Sequence, residues 1–227
     1  MSLTPTVLHS YFRSSCSYRV RITLNLKQVQ YTIKPVNLVQ GEQTADQYKE
    51  LNPLGVVPTL EIDGHVLTQS LAIIDYLDAT RRLPKLCSEN ELIRNKHLTF
   101  ATLIGMDMQP LHNLATLRKL DEITGGDAKI KEDWIKWFLL RGFDALESLV
   151  NTHSTHKQFS VGNSVSLADV CLAPQVYVGH RFGLDMANRY PAIHAVYKNL
   201  MSHDAFIQAH PHNQPDCPAD LRGDLSL

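Results

Sequence analysis

The sequence has no large excess of charge of either sign. Its 227 residues include 22 Lys and Arg against 23 Asp and Glu, which gives a formal net charge of −1. Because affinity for nucleic acids and anionic membranes usually depends on a basic surface, neither is predicted as a partner. No apolar run approaches the roughly 20 residues that span a bilayer, so no membrane-spanning segment is predicted. Any preference for anions must come from a local arrangement of residues.

Cysteine is also scarce. The chain has four cysteines, and they are widely separated: Cys16, Cys87, Cys171 and Cys217. No Cys-x-x-Cys pair occurs, so neither a zinc site nor a dithiol redox centre is predicted. His153 and His156 lie in a polar stretch with no third ligand at a useful spacing, so no metal site is expected there. Residues 1–5 have neither the basic nor the apolar region of a secretory signal. Together these features predict a cytoplasmic protein.

The first part of the chain alternates short apolar runs that predict strands and a helix. Thr6 to Ser10 and Tyr31 to Ile33 are predicted to be strands, because β-branched and apolar residues dominate them. Between them, the segment Val20 to Leu26 alternates apolar and polar residues, which is compatible with a strand. The same segment has apolar residues four apart, which favours a helix. A helix at this position would connect two parallel strands in a βαβ unit.

The dipeptide Asp63-Gly64 separates two further short runs, Thr59 to Ile62 and His65 to Leu67. Asp-Gly favours a type I′ turn, because both central residues of that turn need positive φ. The two runs are therefore predicted to form a β-hairpin. Ser70 then opens a segment with apolar residues at helical spacing. The order βαβ followed by ββα predicts a thioredoxin-like α+β domain.

Beyond Pro84 the apolar residues follow helical spacing almost throughout, which predicts an all-α second domain. We expect a first domain at residues 1–83, a linker at 84–87 and a second domain at 88–227. The stretch 210–227 is rich in Pro, Asp and Gly, and it is expected to form a tail over the surface.

Two helices of the second domain have recognisable start signals. Asp133 is expected to cap a long helix that places Trp134 and Trp137 in the core. Ser166, followed three residues later by Asp169, is typical of a capping box. We expect this box to stabilise a buried helix and not to take part in catalysis.

The stretch from Phe12 to Arg19 has the densest chemistry of the chain. It combines serine hydroxyls, the Cys16 thiol and two arginines directly after the first predicted strand. Ser14 and Ser15 are favourable N-cap residues, and the start of a helix offers free N–H groups and partial positive charge. This turn is therefore predicted to stabilise an anion such as a thiolate, a carboxylate or a phosphate.

The run Ser14-Ser15-Cys16-Ser17-x-Arg19-Val20-Arg21-Ile22 resembles the signature of the zeta-class glutathione transferases, whose best known activity is that of maleylacetoacetate isomerase. The resemblance extends over nearly the whole chain through further matching segments: Asn52-Pro53, Val57-Pro58-Thr59-Leu60, Gln69-Ser70-Leu71-Ala72-Ile73, Gln109-Pro110-Leu111, Ser166-Leu167-Ala168-Asp169, Arg181-Phe182 and Gln214-Pro215-Asp216. It implies the glutathione transferase fold, a helix at Val20 to Leu26, and a homodimer.

The resemblance also implies that glutathione is the cofactor. Ser14 is assigned the contact with the glutathione sulfur and Ser15 a supporting role, while Cys16 lies close enough to modulate catalysis or to be modified. These three residues form the implied catalytic set.

The cofactor-binding residues implied by the resemblance are Ser14, Gln43, Val57, Pro58, Gln69, Ser70 and Gln109. A cis bond before Pro58 would expose the Val57 backbone, which could then pair with the cysteinyl part of glutathione. Gln69 and Ser70, at a helix start, would suit the γ-glutamyl carboxylate.

The reaction implied is addition of the glutathione thiolate to the cis double bond of maleylacetoacetate, rotation about the new single bond, and elimination to fumarylacetoacetate. This step belongs to phenylalanine and tyrosine catabolism and regenerates glutathione. A dianionic substrate needs cations, and a guanidinium group can bind a carboxylate through two hydrogen bonds. Arg181 matches the family's substrate-binding arginine, and Arg13 is a second candidate because it adjoins the site. Arg19 and Arg21 are expected to be structural and to face solvent or a partner subunit.

Three other functions remain open at this point. A maleylpyruvate isomerase would share the fold, the cofactor and the mechanism. A thiol transferase would use Cys16 as its nucleophile and form a mixed disulfide with glutathione. A non-catalytic binding protein could keep the fold as an interaction scaffold.

Overall fold

In the computed structural model, which describes residues 5–81 and 83–225, a four-stranded mixed sheet forms the centre of the first of two units. Its strands are β1 (Val7–Ser10), β2 (Thr32–Pro35), β3 (Thr59–Ile62) and β4 (His65–Thr68). They lie in the order β2-β1-β3-β4; β1 and β2 are parallel, and the other two pairs are antiparallel. This is the predicted thioredoxin-like arrangement.

Three helices complete the N-terminal part of this unit: α1 (Ser15–Leu26), α2 (Asp46–Lys49) and α3 (Ser70–Thr80), with a 3₁₀ turn at Glu42–Thr44. The segment with ambiguous periodicity is therefore helical, because it connects the parallel strands β1 and β2. Apolar side chains of α1 and α3 pack on the sheet in one core, which contains Leu8, Val20, Leu24, Leu60, Ile62, Ile73 and Leu77.

The hairpin between β3 and β4 has the predicted turn. Asp63 and Gly64 both adopt positive φ, at 55° and 79°. Tyr76 and Arg81 donate to the Asp63 carboxylate, at 2.7 Å and 2.9 Å. These two hydrogen bonds hold the pKa of Asp63 below its usual value, with the Tyr76 bond as the larger cause. The turn is thus fixed to α3 as well as by its own backbone.

In the second unit, Leu86–Leu200, the long elements are all helices. Its helices are α4 (Glu91–Thr102), α5 (Leu114–Thr124), α6 (Ala128–His153), α7 (Leu167–Arg181), α8 (Met186–Arg189) and α9 (Pro191–Leu200). A π-helical segment, Leu103–Met108, and a 3₁₀ turn, Gln109–His112, follow α4. No helix in the described ranges has the length and apolar character needed to cross a membrane.

The start of the long helix α6 differs from the prediction. Asp127, not Asp133, is its N-cap, and the Asp127 carboxylate accepts hydrogen bonds from the N–H groups of Lys129 and Ile130. Asp133 lies inside the helix. Trp137 was expected in the core, but its side chain is 58% exposed.

The capping box at the start of α7 is confirmed. Asp169 is fully buried, and its carboxylate accepts four hydrogen bonds, from the N–H and hydroxyl of Ser160 and of Ser166. Burial raises the pKa of Asp169 to about 6, and the four donors oppose that rise. The box therefore connects the start of the most buried helix to the preceding loop.

The C-terminal segment does not follow the predicted domain division. Residues 201–225 belong to the first unit, although the sequence suggested a second domain that continued to residue 227. They include α10 (Asp204–Ala209) and a 3₁₀ turn at Pro211–Asn213. The hydroxyl of Tyr18 in α1 donates to the Phe206 carbonyl at 3.4 Å, so this segment packs against α1.

The prediction of a surface tail is wrong for the first part of that stretch. Four of its residues are at most 4% exposed: His210, His212, Gln214 and Cys217. The Gln214 side chain donates to the carbonyls of Gln208 and His210, which folds the segment on itself. A composition rich in Pro and Asp indicated irregular backbone correctly but gave no information about burial.

Candidate active site

The register of the sheet brings three segments to one edge of the first unit. His9 pairs with Thr59, and Thr59 pairs with Thr68, so the end of β1, the start of β3 and the end of β4 are neighbours. The chain continues from these positions into the loop before α1, the Val57-Pro58 bond and the start of α3. The loop before α1, the Val57-Pro58 bond and the start of α3 therefore lie at this edge because of strand direction.

Ser14 is the N-cap of α1. Its Oγ accepts a hydrogen bond from the Ser17 N–H at 3.2 Å, and its backbone has extended dihedral angles. Since that oxygen already accepts from the backbone, the hydroxyl hydrogen remains to be donated outward. Ser15 is the first helical residue and is 7% exposed, while Cys16 is partly exposed and forms no disulfide. A helix start with a hydroxyl donor favours a negatively charged sulfur.

The loop that carries Ser14 is held by a buried arginine. Arg21 is fully buried; its Nε donates to the Ala209 carbonyl at 2.9 Å and its Nη2 to the Phe12 carbonyl at 3.0 Å. Its Nη1 donates to the Ser10 hydroxyl at 3.1 Å. The Asp216 carboxylate accepts from the Phe12 N–H at 2.8 Å. The C-terminal segment therefore holds the amide side of the loop directly, through Asp216, and its carbonyl side indirectly, through Arg21.

The Val57–Pro58 peptide bond is cis, as the resemblance implied. Two side chains hold the preceding carbonyl: the Tyr48 hydroxyl and the Asn52 amide donate to Val56 at 2.9 Å and 2.8 Å. Burial raises the pKa of Tyr48, which keeps it in the neutral form that donates. Within residues 5–81 and 83–225, no group pairs with the N–H or C=O of Val57. An extended peptide could pair with this edge as an added strand.

Gln69 and Ser70 stand at the start of α3. Gln69 is an exposed non-glycine residue with a φ of 66°, and its side chain makes no capping hydrogen bond. Such backbone strain is characteristic of functional sites. Ser70 is 6% exposed, and its Oγ accepts from Arg19 Nη1 at 3.3 Å. The first turn of α3 therefore presents uncapped N–H groups beside a buried cation.

Gln43 is buried in the loop before α2. Its Nε2 donates to the Leu38 carbonyl at 3.4 Å, and its Oε1 has no hydrogen-bond partner among the described residues. A Cβ added to Gly55, which has a φ of 63°, would lie 2.9 Å from the Gln43 carbonyl oxygen. Gly55 thus permits the close approach of this loop to the segment before Val57.

The remaining predicted residues lie at separate places. Arg13 is partly exposed, with its guanidinium carbon 5.7 Å from the centre of the Phe12 ring. Arg181 ends α7 in the second unit and is exposed, 4.7 Å from the centre of the Phe182 ring. Gln109 begins the 3₁₀ turn of the same unit.

The segments that contain Gln109 and Arg181 adjoin within the second unit. The rings of His112 and Phe182 lie 6.2 Å apart, edge to face. The two predicted residues of the second unit are therefore carried by neighbouring segments.

The expectation for Arg19 and Arg21 is wrong in part. They were predicted to face solvent or a partner subunit, but they are 1% and 0% exposed. Both point inward because α1 is packed on one side by α3 and on another by α10.

Sequence reasoning also missed Tyr48 and the role of Asp216. The Gln214-Pro215-Asp216 match was the one signal that indicated the importance of the C-terminal segment.

Comparison with known proteins agrees with this architecture. The family models for the N-terminal and C-terminal domains of glutathione S-transferases match residues 13–80 and 139–204. Maleylacetoacetate isomerase of Dictyostelium discoideum is 44% identical over 218 residues, which cover 95% of this chain and 98% of that protein.

Solved structures give the same result. A maleylpyruvate isomerase described as a bacterial zeta-class glutathione S-transferase is 36% identical, with a TM-score of 0.90 over 93% of this chain and 100% of that one. Maleylacetoacetate isomerase of Methylobacterium extorquens AM1, with bound malonate and glutathione, is 33% identical, with a TM-score of 0.89 over 94% of this chain and 100% of that one. On these matches, the chain belongs to the glutathione transferase family, in the zeta class that contains the maleylacetoacetate isomerases.

Proposed function

We propose that this chain is a glutathione-dependent cis-trans isomerase that converts maleylacetoacetate to fumarylacetoacetate in phenylalanine and tyrosine catabolism. The observation that carries the proposal is the arrangement at one sheet edge of the capped start of α1, the unpaired Val57 backbone and the uncapped start of α3. The 44% identity to a named maleylacetoacetate isomerase supports the choice of reaction.

The described residues fit glutathione as a cofactor. The unpaired N–H and C=O of Val57 suit the cysteinyl backbone, and the start of α3 at Gln69 and Ser70 suits the γ-glutamyl carboxylate. The partnerless Oε1 of Gln43 can accept from an N–H of the bound tripeptide near its glycyl end. Pro58 and Gln109 are the remaining residues proposed to bind the cofactor.

Catalysis in this proposal depends on stabilising a thiolate. When bound, glutathione supplies the sulfur that adds to the double bond and later leaves it. Ser14 donates its hydroxyl hydrogen to that sulfur, because the Ser14 oxygen is already fixed as a backbone cap. Ser15 supports the turn, and Cys16 lies beside it without acting as the nucleophile.

The substrate carries two carboxylates, and Arg13 and Arg181 are the proposed cations for them. Each guanidinium lies against a neighbouring phenylalanine ring, which restricts its orientation. The Methylobacterium isomerase contains malonate, a small dicarboxylate, which supports a preference for diacids in this group.

The proposal also includes the location of the protein and its oligomeric state. We place the protein in the cytoplasm, where four cysteines without a disulfide are stable. We also propose a homodimer, as the resemblance to the family implies.

A second candidate is maleylpyruvate isomerase, because a protein of that name matches this fold with a TM-score of 0.90. Its 36% identity is lower than the 44% of the Dictyostelium maleylacetoacetate isomerase. Both substrates are cis-unsaturated diacids, so the chemistry of the site accommodates either.

The experiment that tests the proposal measures loss of maleylacetone absorbance with and without glutathione, beside the same assay with maleylpyruvate. We expect turnover that requires glutathione without consuming it, and a higher kcat/KM for maleylacetone. A higher value for maleylpyruvate would select the second candidate.

The Cys16→Ser variant separates the isomerase from a thiol transferase, since the isomerase should keep most of its rate. Loss of most activity in this variant would support Cys16 chemistry. Glutathione binding with no turnover of either substrate would favour a binding protein.

A further inference from the structure

Arg19 is a buried cation whose hydrogen-bonding capacity is largely unused. Its side chain is 1% exposed, and its Nη1 donates to Ser70 Oγ at 3.3 Å and to Cys16 Sγ at 3.9 Å. Within the described part of the chain, its Nε and Nη2 are buried without a hydrogen-bond partner. Among the described residues, no carboxylate lies within ion-pair distance of this guanidinium. An uncompensated buried charge is unfavourable, so its presence indicates a function.

Arg21, two residues further along α1, provides a comparison within the same helix. It is equally buried, but its three nitrogens donate to oxygens of Ser10, Phe12 and Ala209. Arg21 is thus explained by the fold of the first unit. Arg19 is not, because the Ser70 hydroxyl is the only oxygen to which it donates among the residues that the structure describes.

The Ser70 hydroxyl connects Arg19 to the start of α3. Gln69 provides no side-chain cap, so the first turn of α3 keeps free N–H groups and the positive end of the helix dipole. The Arg19 guanidinium lies next to this turn, within hydrogen-bond distance of Ser70. The two features add to one positive region, and the described protein residues place no negative group against it.

We propose that Arg19 is a positioning residue for the γ-glutamyl carboxylate of glutathione, acting through Ser70. Because Ser70 Oγ accepts from Arg19, its own hydrogen is directed away from the guanidinium and is available to the carboxylate. The buried charge also compensates the negative charge of the ligand. This inference rests on the proposed function, since it takes glutathione as the ligand.

The test compares two ligands by calorimetry: glutathione, and 4-aminobutanoyl-Cys-Gly, which lacks only the γ-glutamyl α-carboxylate. The wild type is expected to prefer glutathione by at least about 30-fold in Kd. In Arg19→Met that preference should fall about tenfold, and Arg19→Lys should recover part of it. Ser70→Ala should show a similar fall, and the double variant should lose little more than either single variant, because both residues act on one interaction.

Arg21→Lys is the matched control. It is expected to lower the urea midpoint of unfolding while it leaves the ratio of the two Kd values unchanged. If Arg19→Met weakened both ligands equally, Arg19 would be purely structural and the inference would be overturned. If Arg19→Met did not fold, an unchanged ratio in Arg19→Lys and in Ser70→Ala would overturn it as well. Failure of the wild type to bind glutathione at all would instead contradict the proposed function.

Discussion

At the scale of single residues, Ser14 has two roles that can be separated. Its oxygen caps α1 through the Ser17 N–H, and its hydroxyl hydrogen is the proposed donor to the glutathione sulfur. Ser14→Ala removes both, and we expect kcat to fall about 100-fold, similar to the loss of one preorganised donor at other sites. The cap itself contributes about 1 kcal/mol to the free energy of unfolding.

The control for this prediction is Ser14→Thr, which keeps a hydroxyl and a capping oxygen. It should retain most of the isomerase rate and most of the stability. The measurement pairs maleylacetone turnover with urea unfolding. Equal rates for the Ala and Thr variants would show that the Ser14 hydroxyl is not the donor.

Asp169 gives a prediction about pH. Its folded pKa of about 6 lies above its ordinary value of 3.8, so the folded state binds its proton more tightly than the unfolded state. This contribution to stability is present in full below the unfolded pKa and is lost as pH rises through about 6. Asp169→Asn removes the titration, and its cost in unfolding free energy should be about 1 kcal/mol larger at pH 5 than at pH 7. Urea unfolding of both proteins at the two pH values measures the difference, and a larger cost at pH 7 would contradict it.

The places of Ser14, Ser166 and Asp169 at helix starts could be predicted from sequence, because these residues belong to short motifs. In such motifs a side chain bonds to backbone only a few positions away. The burial of Arg19 could not be predicted in this way. It depends on Ser70, which is 51 residues further along the chain.

At the scale of elements, a buried ion pair fixes the end of α1 to the end of α3. Lys27 Nζ donates to Asp78 Oδ1 at 2.6 Å and to the carbonyls of Arg81 and Pro84 at 2.9 Å and 2.5 Å. The Lys27 side chain is fully buried. Lys27→Met leaves a buried carboxylate and two carbonyls without this donor, so we expect the free energy of unfolding to fall by about 3 to 5 kcal/mol.

Lys119→Met is the matched control, because the Lys119–Glu122 pair lies at 2.8 Å but both side chains are mostly exposed. An exposed pair contributes at most about 1 kcal/mol. Urea unfolding of the two variants checks the contrast. A loss of equal size in both would show that the contacts of Lys27 do not stabilise the first unit.

Element boundaries were less predictable than element types. The hairpin at Asp63-Gly64 was predicted correctly, because its turn chemistry is local. The start of α6 was placed at Asp133, six residues late, although Asp127 directly follows two glycines with positive φ, Gly125 and Gly126. Those glycines end α5 and mark the new start. The helical periodicity after Asp133 was strong enough to obscure this signal.

At the scale of the whole chain, the C-terminal segment completes the first unit. Asp216 accepts from the Phe12 N–H in the loop before α1, and the Ala209 carbonyl accepts from Arg21, which also donates to the Phe12 carbonyl. Local sequence patterns could not predict this return, because the hydrogen bonds of Asp216 and Ala209 join residues that are 204 and 188 positions apart. The site loop therefore depends on chain distant in sequence.

His210 lies at the centre of this packing and makes it sensitive to acid. It is fully buried, its Nδ1 accepts from the His212 N–H at 3.2 Å, and Tyr18 lies edge-on to its ring. Burial lowers the pKa of His210 to about 3, with His212 and Arg21 adding to the effect and Asp224 opposing it. The unfolded chain binds this proton near pH 6.5, so the contribution of His210 is present in full above that pH and is lost as pH falls toward 3. We expect His210 alone to lower the free energy of unfolding by about 2 kcal/mol between pH 7 and pH 5.

The variant His210→Asn removes this titration and keeps a polar side chain that can accept from the His212 N–H. Between pH 7 and pH 5, its free energy of unfolding should therefore fall by about 2 kcal/mol less than that of the wild type. Urea unfolding of both proteins measures this difference. His203→Asn is the control, because it makes the same substitution at an exposed position at the start of α10. If His210→Asn were as sensitive to acid as the wild type, the acid sensitivity would arise from other groups. Because residues 209 and 216 hold the loop of Ser14, acid that releases this segment should also weaken glutathione binding in the wild type more than in His210→Asn.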